Sequence, residues 1–165
     1  MGPGHIKVLL DTNVMLDHFI PGRENGAASS KVMTLCCAND VSLLYPLHSL
    51  NDVFYQVALD AKRWVRESLG SLPDAYAKAA NARAWDCIDI MMEIGAPVGA
   101  DGSDVWLAQH LREMHPDFED NMVLAAAERA KADYLVTSDK QLIQKATVAA
   151  LTPQDMLKVL ELRFG

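Results

Sequence analysis

The chain of 165 residues predicts an α/β protein whose central parallel sheet is covered on both faces by helices. Three observations lead there. Short apolar runs alternate with longer helical ones along the chain. The runs are apolar at consecutive positions, as in strands buried on both faces. Two of them, "IKVLL" (6–10) and "DYLVTS" (133–138), are followed at once by Asp11 and Asp139. Strands separated by helices of this length need right-handed crossovers and therefore pair in parallel.

The elements follow in order. After the strand at 6–10 comes a helix-like segment at 27–39, then the strand "VSLLYP" at 41–46. Two long helices are predicted at 49–68 and 73–94, separated by the break from Gly70 to Pro73. "APVGA" (96–100) is a short strand, followed by helices at 103–114 and 118–132. "TVAALTP" (147–153) is the last strand, and "PQDMLKVL" forms a C-terminal helix with Pro153 in its first turn, where a missing N–H costs nothing. Pro21-Gly22, Gly95 to Gly102 and His115-Pro116 punctuate the helices, but none opens a polar linker. Residues 6–165 therefore read as one domain, and 1–5 as a flexible start or cloning remnant outside the fold.

Half the residues are hydrophobic and 22% are charged. A chain of this length buries roughly two-thirds of its unfolded surface, enough for one core without staples. No apolar run approaches the roughly 18 residues of a membrane span, and "MGPGHIK" lacks the apolar region of a signal peptide, so a cytoplasmic protein without a membrane partner is expected. Three cysteines, two of them adjacent (Cys36 and Cys37), give neither a disulfide framework nor zinc spacing, and read as buried thiols. A net charge of -7 argues against a general nucleic-acid binder, though a bound cation can reverse the field locally.

In open parallel sheets, ligands sit beyond the carboxyl ends of the strands. Asp11 and Asp139 are placed there by strands distant in sequence, and Asp52 and Asp120 lie near the starts of predicted helices. Each has a structural explanation. Asp52, after Ser49 as a plausible N-cap, could be a solvated helix residue, although Leu50, Val53 and Phe54 beside it are apolar. Asp117 reads as the cap of the helix after Pro116, with Asp120 as its acidic third residue. Asp139 could cap the helix that follows it. Four carboxylates at one sheet edge, however, repel one another and raise each other's pKa, unless a cation is bound. Oxygen donors select hard ions, which makes Mg²⁺ or Mn²⁺ the expected cofactor and phosphodiester cleavage a natural chemistry. The hydroxyls of Thr12, Thr137 and Ser138 are placed to position water or phosphate, or simply to cap. The five histidines lack a partner pattern and are assigned to structure. Lys62, Arg63, Arg66, Lys78 and Arg83 are read as solvated helix faces. Trp64, Trp85 and Trp106 could stack bases, but their spacing favours core or interface.

"VLLDTNVMLD", "SLNDVFY", "DFEDNMVLAAAERAKADYLVTSDKQL" and "VAALTPQDML", in that order, resemble the successive signatures of PIN-domain ribonucleases, especially the VapC-like toxins of bacterial toxin–antitoxin pairs. The resemblance implies a three-layer α/β/α fold and a metal-dependent RNA endonuclease, with single-stranded or structured RNA as substrate. It matches Asp11, Asp52, Asp120 and Asp139 to the four metal-binding acids, and Asn13 and Thr137 to supporting polar positions. Asp117 would touch at most a metal-bound water. The second acid is often Glu in such proteins, so Asp52 has a shorter reach. The resemblance also implies an antitoxin partner, a homodimer, and a protruding clip formed by helices at about 48–94. Two other readings compete. A PIN-like scaffold could serve only to bind partners, and a haloacid-dehalogenase-like phosphatase could use Asp11 as nucleophile. The latter needs a second acid two residues on, where this chain has Asn13.

Overall fold

The computed structural model describes residues 5–165. The start expected to be flexible lies outside the described residues except for His5, whose ring bonds to Asp40 and to the Ser42 hydroxyl. Five strands, β1 (Ile6–Leu10), β2 (Val41–Pro46), β3 (Ala96–Val98), β4 (Tyr134–Val136) and β5 (Ala149–Leu151), form one sheet in the order β3-β2-β1-β4-β5, with every pairing parallel. Leu9 faces Leu44 on one side and Leu135 on the other, which fixes the register at the centre. The chain winds outward from β1 through β2 to β3, then returns to the opposite side of β1 for β4 and β5. The crevice between β1 and β4 is the switch point where such sheets bind ligands.

Side chains alternate across the sheet and build a core on each face. Val8, Leu10, Leu43, Tyr45 and Val136 pack against α1 (Thr12–Phe19), α2 (Gly26–Ala38), α3 (Leu47–Leu69), α4 (Asp74–Ile94) and α8 (Pro153–Phe164). Leu9, Val98 and Leu135 pack on the other face against α6 (Phe118–Ala130) and Leu142 of α7 (Lys140–Lys145), with Leu111 of α5 (Gly102–Leu111) at the margin. The expected three layers are present.

Several expectations need correction. The segment 12–19 continues the apolar stretch of β1 in sequence, yet it turns into a helix directly after Asp11. Helix α3 starts at Leu47, because Pro46 ends β2 in an extended conformation that leads straight into the first turn. Ser49 is therefore not a cap: it is buried inside that turn, with its hydroxyl hydrogen-bonded to that of Thr12 at 2.8 Å. Cys36 and Cys87 are buried as expected, whereas Cys37 is exposed. The three tryptophans are surface residues, Trp64 67%, Trp85 60% and Trp106 59% exposed, which removes the core half of the expectation and leaves the interface half; the core-facing stripes of their helices are occupied by smaller residues such as Val57, Ala84 and Ala108.

Candidate metal centre

Asp11 is the fixed point of the site. Its backbone N–H continues the ladder by donating to Val136 O (2.9 Å), and its carbonyl accepts from Val14 to open α1. The side chain makes no capping bond; instead its Oδ2 accepts from the Thr137 hydroxyl at 2.8 Å, across the β1–β4 crevice. Only 3% of Asp11 is exposed. Burial pushes its carboxyl up to about 6, against the Thr137 hydroxyl and the Thr12 N–H, while Asp120 and Glu119 push it higher.

Two further elements deliver acids to the same edge. A helix that returns to a parallel strand runs antiparallel to it, so α6 begins at the carboxyl edge that β4 will later reach. Asp117 caps α6 by accepting from the Asp120 N–H (3.0 Å). Asp120 is raised to about 6, chiefly by burial and then by Asp117 and Asp139, with His115 pulling the other way. His115 is itself buried, its Nε2 3.4 Å from Asp120 Oδ2. After β4, Asp139 caps α7: its Oδ1 accepts from the N–H groups of Gln141 (2.8 Å) and Leu142 (3.2 Å), and its own N–H donates to the Thr137 hydroxyl (3.1 Å). Thr137 thus ties Asp11 to Asp139, and charge repulsion links Asp120 to both.

Asp52, a turn and a half into α3, is joined to this group through Glu119, whose carboxyl is raised by burial first and by Asp52 next, with His48 opposing. One ligating atom from each of His48, Asp52 and Glu119 lies within 4.8 Å of the others. The sequence reading missed Glu119 and His48. A signal existed for both: His48 and Asp52 are spaced i, i+4 on one helix face, and Glu119 directly precedes Asp120.

The supporting residues divide. Thr137 holds Asp11, as described. Thr12 is buried against Ser49, turned into the fold, and Asn13 is exposed in the first turn of α1. The Ser138 hydroxyl belongs to a separate network: it accepts from Asn25 Nδ2 (3.3 Å) and donates to the buried Asp17 (3.5 Å), which Arg23 neutralises at 2.6 Å.

The acids of the β1–β4 edge fit a hard divalent cation. They offer oxygen donors, they raise one another's pKa, and the groups that relieve Asp120 and Glu119 are the imidazoles of His115 and His48. A bound divalent ion would favour the charged carboxylates against the burial and mutual repulsion that together raise Asp11 and Asp120 to about 6.

Comparison with known proteins agrees with this geometry. The family model described as PIN domain (PIN_3) matches residues 7–141. No curated protein matches the chain in sequence. Among solved structures, a chain of the VapBC2 complex of Rickettsia felis bound to a DNA fragment from its promoter is similar, with a TM-score of 0.62 at 12% identity, covering 89% of this chain and 98% of that one. Mycobacterium tuberculosis VapC20, described as a sarcin-ricin loop cleaving toxin, is similar with a TM-score of 0.59 at 10% identity, covering 86% of this chain and 97% of that one. At such identities the likeness concerns the fold.

Proposed function

The chain belongs to the PIN-domain family, and on that premise we propose that it is a Mg²⁺- or Mn²⁺-dependent RNA endonuclease, the toxin of a type II toxin–antitoxin pair. The observation that carries the reading is the buried Asp11 at the switch point, held by Thr137 and raised in pKa by burial and by the neighbouring Asp120 and Glu119. Family membership alone would leave a binding scaffold open. A scaffold without a ligand has no reason to keep a buried carboxylate at this cost.

In this reading Asp11, Asp120, Asp139 and Asp52 hold the metal. Asp11 is the rigid member, since both its backbone and its Oδ2 are fixed. Asp139 spends Oδ1 on its helix cap, which orients the carboxylate and leaves Oδ2 for the site. Asp117 acts as a cap that also keeps Asp120 in place. When bound, a divalent ion of this kind lowers the pKa of a coordinated water and stabilises charge on the phosphate. The substrate is RNA, single-stranded or structured. Residues 6–165 act as one domain, and the paired helices α3 and α4, with Tyr55, Trp64, Tyr76 and Trp85 exposed, form the clip for an antitoxin and a second copy of the chain. No helix among the described residues is long and apolar enough to cross a membrane, which accords with a cytoplasmic protein.

Induced expression of wild type and Asp11→Asn, with sequencing of RNA 5′ ends, tests the proposal. Growth arrest with discrete cuts that disappear in the variant is expected. Equal cutting by both proteins, or no cutting by either, overturns it.

A further inference from the structure

The second acid position of this site carries a nitrogen ligand that the four-carboxylate reading leaves out. From the juxtaposition of His48, Asp52 and Glu119 we infer that these three side chains form a cation position of their own, beside the Asp11 centre, which prefers a transition metal such as Zn²⁺ to Mg²⁺. The inference rests on the metal-dependent reading of Asp52 and adds to it.

Three observations support it. The three ligating atoms already lie within 4.8 Å of one another, so small side-chain rotations bring them to the distances a transition metal requires, about 2.0–2.2 Å per ligand. His48 and Asp52 project from adjacent turns of α3, a helix fixed at its start by the buried Ser49–Thr12 hydrogen bond, so two of the three donors are held by the scaffold. The third, Glu119, is a surface residue in the first turn of α6. Finally, His48 Nε2 is closed off from water and has no hydrogen-bond partner among the described residues. Buried polar atoms in folded proteins are nearly always paired, and an unpaired nitrogen on an imidazole that clusters with two carboxylates is available to a metal.

The donor set decides the class of ion. Mg²⁺ takes oxygen ligands and keeps most of its waters, whereas imidazole suits Zn²⁺ and its first-row neighbours. A shorter acid at position 52 would weaken an all-oxygen site. His48 and Glu119 compensate with donors from either side, at the expense of Mg²⁺ preference.

Isothermal titration calorimetry of the full chain with Zn²⁺, Mn²⁺ and Mg²⁺, on wild type, His48→Gln and Asp11→Asn, tests this without reference to RNA cleavage. Thermal unfolding of each protein without metal serves as the folding control, and His48→Asn replaces His48→Gln if the latter unfolds. The expected result is Zn²⁺ affinity at least tenfold weaker in His48→Gln, Mg²⁺ affinity unchanged there, and the His48-dependent Zn²⁺ binding kept in Asp11→Asn. If His48→Gln binds Zn²⁺ like wild type while Asp11→Asn loses metal, the inference fails and the nuclease reading stands. If Asp11→Asn also loses the Zn²⁺ binding that depends on His48, there is no separate position. If wild type binds none of the three ions, both readings fail.

Discussion

Two groups of acids cap helices in this molecule, and they reach opposite electrical states. At the start of α5, Asp101 caps the helix and Asp104 returns a bond to its N–H, a reciprocal capping box. Arg129, reaching over from α6, makes ion pairs with both, at 2.9 and 2.7 Å. The Ser103 hydroxyl and N–H, and then Arg129, bring Asp101 down to about 2, and Arg129 holds Asp104 below the ordinary carboxylate range. At the start of α6, Asp117 and Asp120 occupy the same cap and third positions, yet Asp120 is raised to about 6. Both helices offer N–H groups and a favourable dipole end. What differs is the burial of Asp120, which raises it first, then the charges of Asp117, Asp139 and Glu119 beside it, where Asp101 and Asp104 have the Arg129 guanidinium. The acid cluster at α5 carries a guanidinium as its counter-ion; the one at the β1–β4 edge has only the His115 imidazole beside Asp120.

Supplying and then removing a cation should separate the two clusters most sharply. A ligand bound only to the folded state at a hundred times its Kd stabilises by about 2.7 kcal/mol, which for a chain of this size raises Tm by roughly 5–10 °C. Mn²⁺ at that excess is expected to give this shift in wild type, and EDTA to reverse it. Asp11→Asn should abolish most of the response. Without metal at pH 7.5 the same variant should be more stable than wild type, because it removes a buried, uncompensated charge while leaving an oxygen for the Thr137 hydroxyl. Differential scanning calorimetry with and without metal reads both effects. A metal response that survives the substitution would place the cation elsewhere.

The second contrast is in pH. Asp11 has a folded pKa of about 6 against an ordinary value of 3.8, so between those values the folded state binds more protons than the unfolded one. Its contribution to stability is therefore greatest below about pH 4, declines as pH rises to about 6, and is level above that. The fall is on the order of 1–3 kcal/mol. Urea unfolding of metal-free wild type from pH 4 to 7.5 should show it, and Asp11→Asn should reduce it to the part that the raised Asp120 contributes. Saturating Mn²⁺ should oppose the decline, since metal and proton compete for the same oxygens.

Breaking the neutralised cluster should act in the reverse sense. Arg129→Met strands Asp104, which is buried, and lowers Tm by a few degrees at pH 7.5 without altering the Mn²⁺ shift. The deficit should shrink as pH falls toward the ordinary carboxylate range, where Asp104 can take a proton. A variant that also loses the Mn²⁺ response would show that the two clusters are not independent.

The same contrast explains what could be read from the sequence. Strand β1, the sheet class and the placement of Asp11 and Asp139 were legible because an apolar run ending at an acid is a local pattern with one common outcome in a parallel sheet. Helix α1 was hidden: its cap residue, Asp11, turns its side chain to Thr137 instead of the helix, so the usual start signal serves the site. Ser49 misled because a good capping residue lies three positions past the proline that already begins the helix. The spacing of His48 and Asp52 and the adjacency of Glu119 to Asp120 were legible, but that the three meet was not, since it depends on α3 and α6 coming together at the sheet edge. Nor could the spacing of acids distinguish the Asp101/Asp104 cap from the Asp117/Asp120 cap; that depends on Arg129, in the last turn of α6.

The finest distinction lies within Asp117, which is both a cap and a source of repulsion. Its carboxylate accepts the Asp120 N–H, a bond whose loss at an N-cap costs about 1 kcal/mol, and its charge raises Asp120. Asp117→Ala should lose the cap and destabilise by about that amount. Asp117→Asn keeps an accepting oxygen and removes only the charge, so its metal-free stability at pH 7.5 should equal or slightly exceed that of wild type. The two substitutions separate geometry from charge, because both remove the charge and only one removes the cap. Urea unfolding of the pair decides it: equal losses would mean that the charge of Asp117 stabilises the start of α6, and that the repulsion at Asp120 is weaker than its raised pKa implies.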